Sequence, residues 1–135
     1  PRARVYTNPV EAEWIRKVVD RIERYSKPND PILALPLNPI FYFLTDRKNP
    51  TPYDWILPGM LDQEDERKVI ERLKAFPPKI VVFVDIPIDG KEDRRLANYT
   101  PLIYSYLVRN YSFKEMIGMF QILLPKVKNQ KNRDL

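Results

Sequence analysis

Asp46, Arg47, Lys48, Asn49, Thr51, Tyr53, Asp54 and Trp55 crowd polar and aromatic side chains into one short, proline-punctuated stretch. These residue types suit a phosphate-bearing or sugar ligand. A planar guanidinium at Arg47 can grip a phosphate with two parallel hydrogen bonds. Tyr53 or Trp55 offers an apolar face to a sugar ring. Asn49 and Thr51 supply short donors and acceptors. Arg47, Asn49, Thr51 and Tyr53 are therefore the candidate ligand-binding residues. The plainer alternative is that Arg47 pairs with a carboxylate while the prolines stiffen an ordinary covering loop. A second candidate is Asp85 with Asp89, near the end of an apolar run where open α/β sheets place ligands. Together they would hold a cation or a ribose, unless Asp89-Gly90 simply turns the chain.

Other chemistries are excluded by composition. Histidine and cysteine are both absent, which removes Ser-His-Asp and Cys-His catalysis, thiolate chemistry and His- or Cys-ligated metals. No catalytic residue and no metal ligand is assigned. Only Gly59, Gly90 and Gly118 are glycines, so no glycine-rich phosphate cradle exists and no cofactor is expected. The net charge of +5 permits an anionic partner. Basic residues on the helical stretches alternate with acids, however, leaving no continuous positive stripe, and no nucleic-acid partner is expected. Tyr99, Tyr104, Tyr106, Tyr111 and Phe113 read as core residues more readily than as stacking platforms. Asn110-Tyr111-Ser112 fits a glycosylation acceptor, a pattern short enough to arise by chance.

The elements that must position these groups are punctuated by proline. The chain has 135 residues, 44% hydrophobic and 30% charged, with 14 prolines, a length and composition suited to one globular domain. Asn8-Pro9, Asn38-Pro39 and Thr100-Pro101 each set a capping residue before a proline at the first helical position. Glu11 stands at capping-box spacing from Asn8. The first helix is predicted over 9–25, with Val10, Trp14, Ile15, Val18, Ile22 and Tyr25 on one face. Ile32 to Leu35 reads as a short buried strand, and a brief helix follows Asn38-Pro39 to Leu44. Residues 45–59 form a long loop of a kind that is often functional. Asp62 caps the next helix, which carries Glu64 and Asp65 in its first turn and Lys74 in its last. Lys79 to Ile86 is predicted to be a central strand covered on both faces. A helix from Pro101 to Arg109 precedes two extended segments, Ser112 to Ile117 and Met119 to Leu124, that flank Gly118.

This order predicts an α/β fold, a small open mixed sheet of about four strands with helices packed on it. Residues 1–8 are a lead-in, 9–125 a single domain, and 126–135 a basic, disordered tail. The longest apolar run, Ile80 to Val84, is far short of the ~20 residues that span a bilayer.

Phe41-Tyr42-Phe43-Leu44-Thr45-Asp46-Arg47-Lys48-Asn49-Pro50-Thr51-Pro52-Tyr53, with Pro58-Gly59 beyond it, resembles a run typical of certain membrane glycosyltransferases. It lies in the C-terminal soluble part of relatives of the dolichyl-phosphate-mannose protein mannosyltransferases, of GT-C type. A helix before Ile32 to Pro36, then Pro77 to Val82, then Tyr111 through Gly118 and Phe120, follow the same order. The resemblance implies a parent with many transmembrane helices and a polyprenyl-phosphate-linked sugar as donor. Its catalytic carboxylate would lie in an early loop outside this chain, so the chain is not expected to be catalytic alone. The expected role is a soluble accessory domain on the extracytoplasmic side of a membrane-attached protein, assisting acceptor or lipid-phosphate recognition. Its partners would be the transmembrane part of the same polypeptide and the lipid-linked sugar or acceptor. Without the resemblance, the residues alone suit a stand-alone binding module for an anionic ligand such as a sugar phosphate or nucleotide, or a plain scaffold domain.

Overall fold

The computed structural model describes residues 8–87 and 90–127. Helix α1 spans Pro9–Tyr25, and its N-terminus is closed by Asn8, whose side-chain oxygen accepts from the Glu11 N–H at 2.8 Å. Val18 and Ile22 are fully buried, with Trp14, Ile15, Val19 and Tyr25 packed around them. Val10, expected on the same face, is exposed in the first turn.

Strand β1 (Leu33–Leu35) leads through α2 (Ile40–Thr45) and the long loop to α3 (Gln63–Ala75). Asp62 and Asp65 cap α3 reciprocally, each side chain accepting the other's backbone N–H. The N–H of Asp65 holds the Asp62 carboxyl below its usual range. After α3 come β2 (Val81–Phe83), a 3-10 turn at Glu92–Arg94, α4 (Leu96–Tyr99), α5 (Pro101–Asn110), β3 (Tyr111–Ile117) and β4 (Phe120–Pro125).

The four strands form one open mixed sheet in the order β1-β2-β4-β3. β1 and β2 are parallel, joined by the crossover through α2 and α3, while β4 runs antiparallel to both β2 and β3. The ladder of β2 is shorter than the apolar run 79–86, since β1 offers only a brief partner before Pro36. Backbone bonds nevertheless extend the pairing, from Lys79 N to Pro31 O and from Val84 N to Leu35 O.

Alternation along β1 and β2 divides the core. Leu33, Leu35, Val81 and Phe83 face α3 and α5, whereas Ile32, Ala34, Ile80, Val82 and Val84 face α1 and α2. Near-continuous apolar sequence is what a strand covered on both sides demands, with each fully buried Leu, Ile or Val worth about 2 kcal/mol.

Two of the expected caps are made differently. Asn38 donates to Leu35 O and leaves α2 without a side-chain cap. Thr100 cannot cap α5, because α4 runs directly into it and the Thr100 hydroxyl donates back to Leu96 O at 3.0 Å. A buried carboxylate from α3 takes its place: Glu66 Oε1 accepts from the N–H groups of Leu102 and Ile103 at 2.9 and 3.0 Å. The side chain is 3% exposed, and the helix N-terminus both satisfies and electrostatically favours it.

Candidate functional site

Beyond α2 the chain turns at Asp46, a left-handed residue (φ 58°), and doubles back beside β1. Asn29 N donates to Asp46 O, Lys48 N to Asp30 O and Ile32 N to Lys48 O, each at 2.9 Å. Residues 46–48 thus form a strap beside 29–32, the residues that lead into β1. Further on, Ile56 N donates to Pro36 O and Tyr99 Oη to Ile56 O, fastening the far end of the loop.

Arg47 holds the strap from inside. It is 7% exposed, and its Nε, Nη1 and Nη2 donate to Ser26 Oγ (2.9 Å), Thr45 O (2.6 Å) and Ser26 O (2.7 Å). Ser26 is the C-cap of α1 and Thr45 the last residue of α2, so one guanidinium ties two helix ends to the loop. Its carbonyl partners are orphans that a helix C-terminus leaves unsatisfied.

Asn49 and Thr51 close on each other. Asn49 Oδ1 accepts from Thr51 N–H and Thr51 Oγ1, both at 2.9 Å, and Asn49 Nδ2 donates to Tyr53 O at 2.6 Å. The Tyr53 N–H donates back to Thr51 Oγ1. Pro50 and Pro52 bring no N–H groups into this knot, so its polar demand is met locally.

The knot presents Thr51, Pro52 and Tyr53 as one wall of a groove of about 730 Å³; the other wall is the face of α3 carrying Asp65, Lys68, Val69, Glu71, Arg72 and Ala75. Arg72 is held in place there. Its Nε donates to Pro50 O at 2.9 Å and its guanidinium carbon lies 4.9 Å above the Phe76 ring, with neither Nη atom bonded among the described residues. Lys68 stands one helical turn earlier. Asp65 and Glu71 lie one turn from Lys68, and Lys68 and Arg72 are four residues apart, so their side chains start from neighbouring points on the helix. Their spacing, roughly 6 Å between Cβ atoms, brackets a phosphate. Glu71 and Asp65 add acceptors suited to sugar hydroxyls, and the half-buried Tyr53 ring adds an apolar surface.

The four residues singled out by sequence therefore separate. Thr51 and Tyr53 line the groove, while Arg47 and Asn49 are turned into the fold with their donors engaged inside the chain. Trp55 is exposed, one residue before the anchoring Ile56. Lys68 and Arg72 escaped notice because they read as the wet side of an ordinary helix, interleaved with Glu64, Asp65 and Glu71.

Asp85 accepts from Arg95 Nη1 at 3.2 Å, and Arg95 Nε donates to Glu92 Oε2 at 2.8 Å. Asp89 lies outside the described residues, so the Asp85/Asp89 pair cannot be drawn as a site. Among the described residues no group of three His, Cys, Asp or Glu side chains is placed to hold a metal ion. Nor is any helix among them long and apolar enough to cross a membrane. Asn110, the candidate glycan acceptor, is exposed at the junction of α5 and β3, and its side chain donates to Tyr106 O.

No protein-family model matches the chain, and neither a curated protein nor a solved structure matches it.

Proposed function

We propose that the chain is a soluble accessory domain of an integral-membrane glycosyltransferase that uses a polyprenyl-phosphate-linked sugar, and that its groove contacts the phosphate and sugar of donor or acceptor. The groove carries the proposal. It joins Tyr53, at the end of the run that resembles such enzymes, to the cation pair Lys68 and Arg72 and to the carboxylates Asp65 and Glu71. Cations for the phosphate, carboxylates for the hydroxyls and an aromatic face for the ring are the chemical requirements of a sugar phosphate. The domain's part is binding and positioning, with bond-making residues supplied by the membrane portion. Membrane attachment and an extracytoplasmic location belong to the same proposal.

Titration calorimetry of the chain with a hexose 1-phosphate, inorganic phosphate, a nucleotide and an oligonucleotide tests the ligand class. The hexose 1-phosphate should bind most tightly, with Lys68→Glu weakening it about tenfold or more. Binding to the oligonucleotide alone, falling steeply with salt, would overturn the reading. Reading the native coding frame upstream of Pro1 tests the parent: several apolar stretches of ~20 residues are expected there, and a start codon immediately before Pro1 would remove the enzyme.

A further inference from the structure

The two edges of the sheet are treated differently. At the β1 edge the strap 46–48 covers the residues just before the strand, the Ala34 N–H donates to Tyr42 Oη, and the Ile56 N–H donates to Pro36 O just after it. Along β3, the other edge, no strand pairs among the described residues. An edge of 7 residues left unpaired among the described residues offers its backbone groups to a further strand.

The side chains on that edge are patterned. Phe113 pairs with Leu123 and Met116 with Gln121, which places both on the face shared with α5. They are 58% and 54% exposed, beside a small apolar cavity of about 210 Å³ floored by Phe83 and Leu123 and walled by Tyr104 and Leu107. Between them the register shifts at a bulge. Glu115 faces α1, where it meets Arg21 Nε at 2.6 Å. Alternation from Phe113 sends Lys114 to the same side, and Lys114 makes no ion pair among the described residues.

We propose that β3 pairs antiparallel with β3 of a second copy of this chain, about a two-fold axis passing between Lys114 and Glu115. That register sets Lys114 opposite the partner's Glu115 and, by symmetry, Glu115 opposite the partner's Lys114. It also sets Phe113 opposite the partner's Met116. Opposite charges meet on one face of the joined sheet and apolar side chains on the other, each the kind of cross-strand pair that stabilises sheets. A two-fold contact must be self-complementary in this way. One residue of slip would bring Lys114 onto the partner's Lys114. The contact is strand-sized, below the area of stable interfaces, so the dimer is reversible and forms only at high protein concentration.

Sedimentation equilibrium on the whole chain from about 10 µM to about 1 mM tests this. The wild type should pass from monomer to dimer across that range. Lys114→Glu alone and Glu115→Lys alone should each remain monomeric, with unchanged circular dichroism showing that both still fold. Mixed in equal amounts, the two variants should associate with each other, since every Glu then faces a Lys. A wild type that stays monomeric, a dimer that survives both substitutions, or variants that fail to associate when mixed would overturn the proposal.

Discussion

The guanidinium of Arg47 spends its three nitrogens on Ser26 and Thr45, and that decides what its removal does. Alanine there would leave two helix-end carbonyls and the Ser26 hydroxyl without a charged donor in a dry setting. The expected loss is about 2–4 kcal/mol of unfolding free energy, read by urea denaturation, with the groove's ligand affinity little changed in whatever fraction stays folded. Arg47→Ala with full stability and lost affinity would place the residue in the site after all. Glu66 follows the same logic. Glu66→Ala strands two N–H groups at the start of α5 and should cost about 2–3 kcal/mol, while Glu66→Gln, which keeps an acceptor, should cost less than half as much. Three phenols, each hydrogen-bonded to backbone inside the fold, set the alkaline limit. Burial raises the pKa of Tyr42 and Tyr111, and pushes that of Tyr99 up to about 12, from an ordinary 10.0. The native state therefore holds these protons more tightly than the unfolded chain. Their contribution is complete below pH 10 and is lost as pH climbs through and beyond it. Tyrosinate absorbance and circular dichroism recorded together should show Tyr42, Tyr99 and Tyr111 ionising in a wave that coincides with unfolding.

Short-range chemistry decided how much of each element could be read in advance. The Asn8 cap, the Asp62 cap and the pairing about Gly118 each depend on residues a few positions apart, so composition and spacing revealed them, although not the return bond from Asp62 N–H to Asp65. Glu66 and Arg47 work across 36 and 21 residues, and no local pattern shows such a partner. Thr100 was misread for a related reason: its role turned on whether a helix preceded it. The groove was half legible. Its loop wall stood out as a polar, proline-bound run, but its helical wall looked like solvent-facing charge until the fold set the two together. Gly118 combines both kinds of constraint. Its φ of +58° favours glycine, and an added Cβ would lie 2.1 Å from the Trp14 ring. Gly118→Ala should therefore cost at least ~2 kcal/mol and shift Trp14 fluorescence, because the ring must leave the hairpin turn.

At the scale of the whole molecule, the sheet separates two sets of contacts. Helices α1 and α2 close one face; α3, α4 and α5 close the other and carry the helical wall of the groove. Lys68 in the groove and Lys114 on the edge of β3 are exposed, so substitutions at either should leave folding nearly intact. That exposure makes function testable without confounding by stability. Lys68→Glu reverses a charge in the groove on an exposed helical position, where surface substitutions shift stability by about 0.5 kcal/mol or less. The decisive measurement is transfer of a labelled sugar from a polyprenyl-phosphate donor by membranes carrying the whole native polypeptide, wild type against Lys68→Glu, at matched protein levels. The wild type should transfer sugar and the variant should do so at least about tenfold more slowly, with unchanged thermal unfolding of the isolated chain. Equal transfer by both, or none by the wild type, would contradict it.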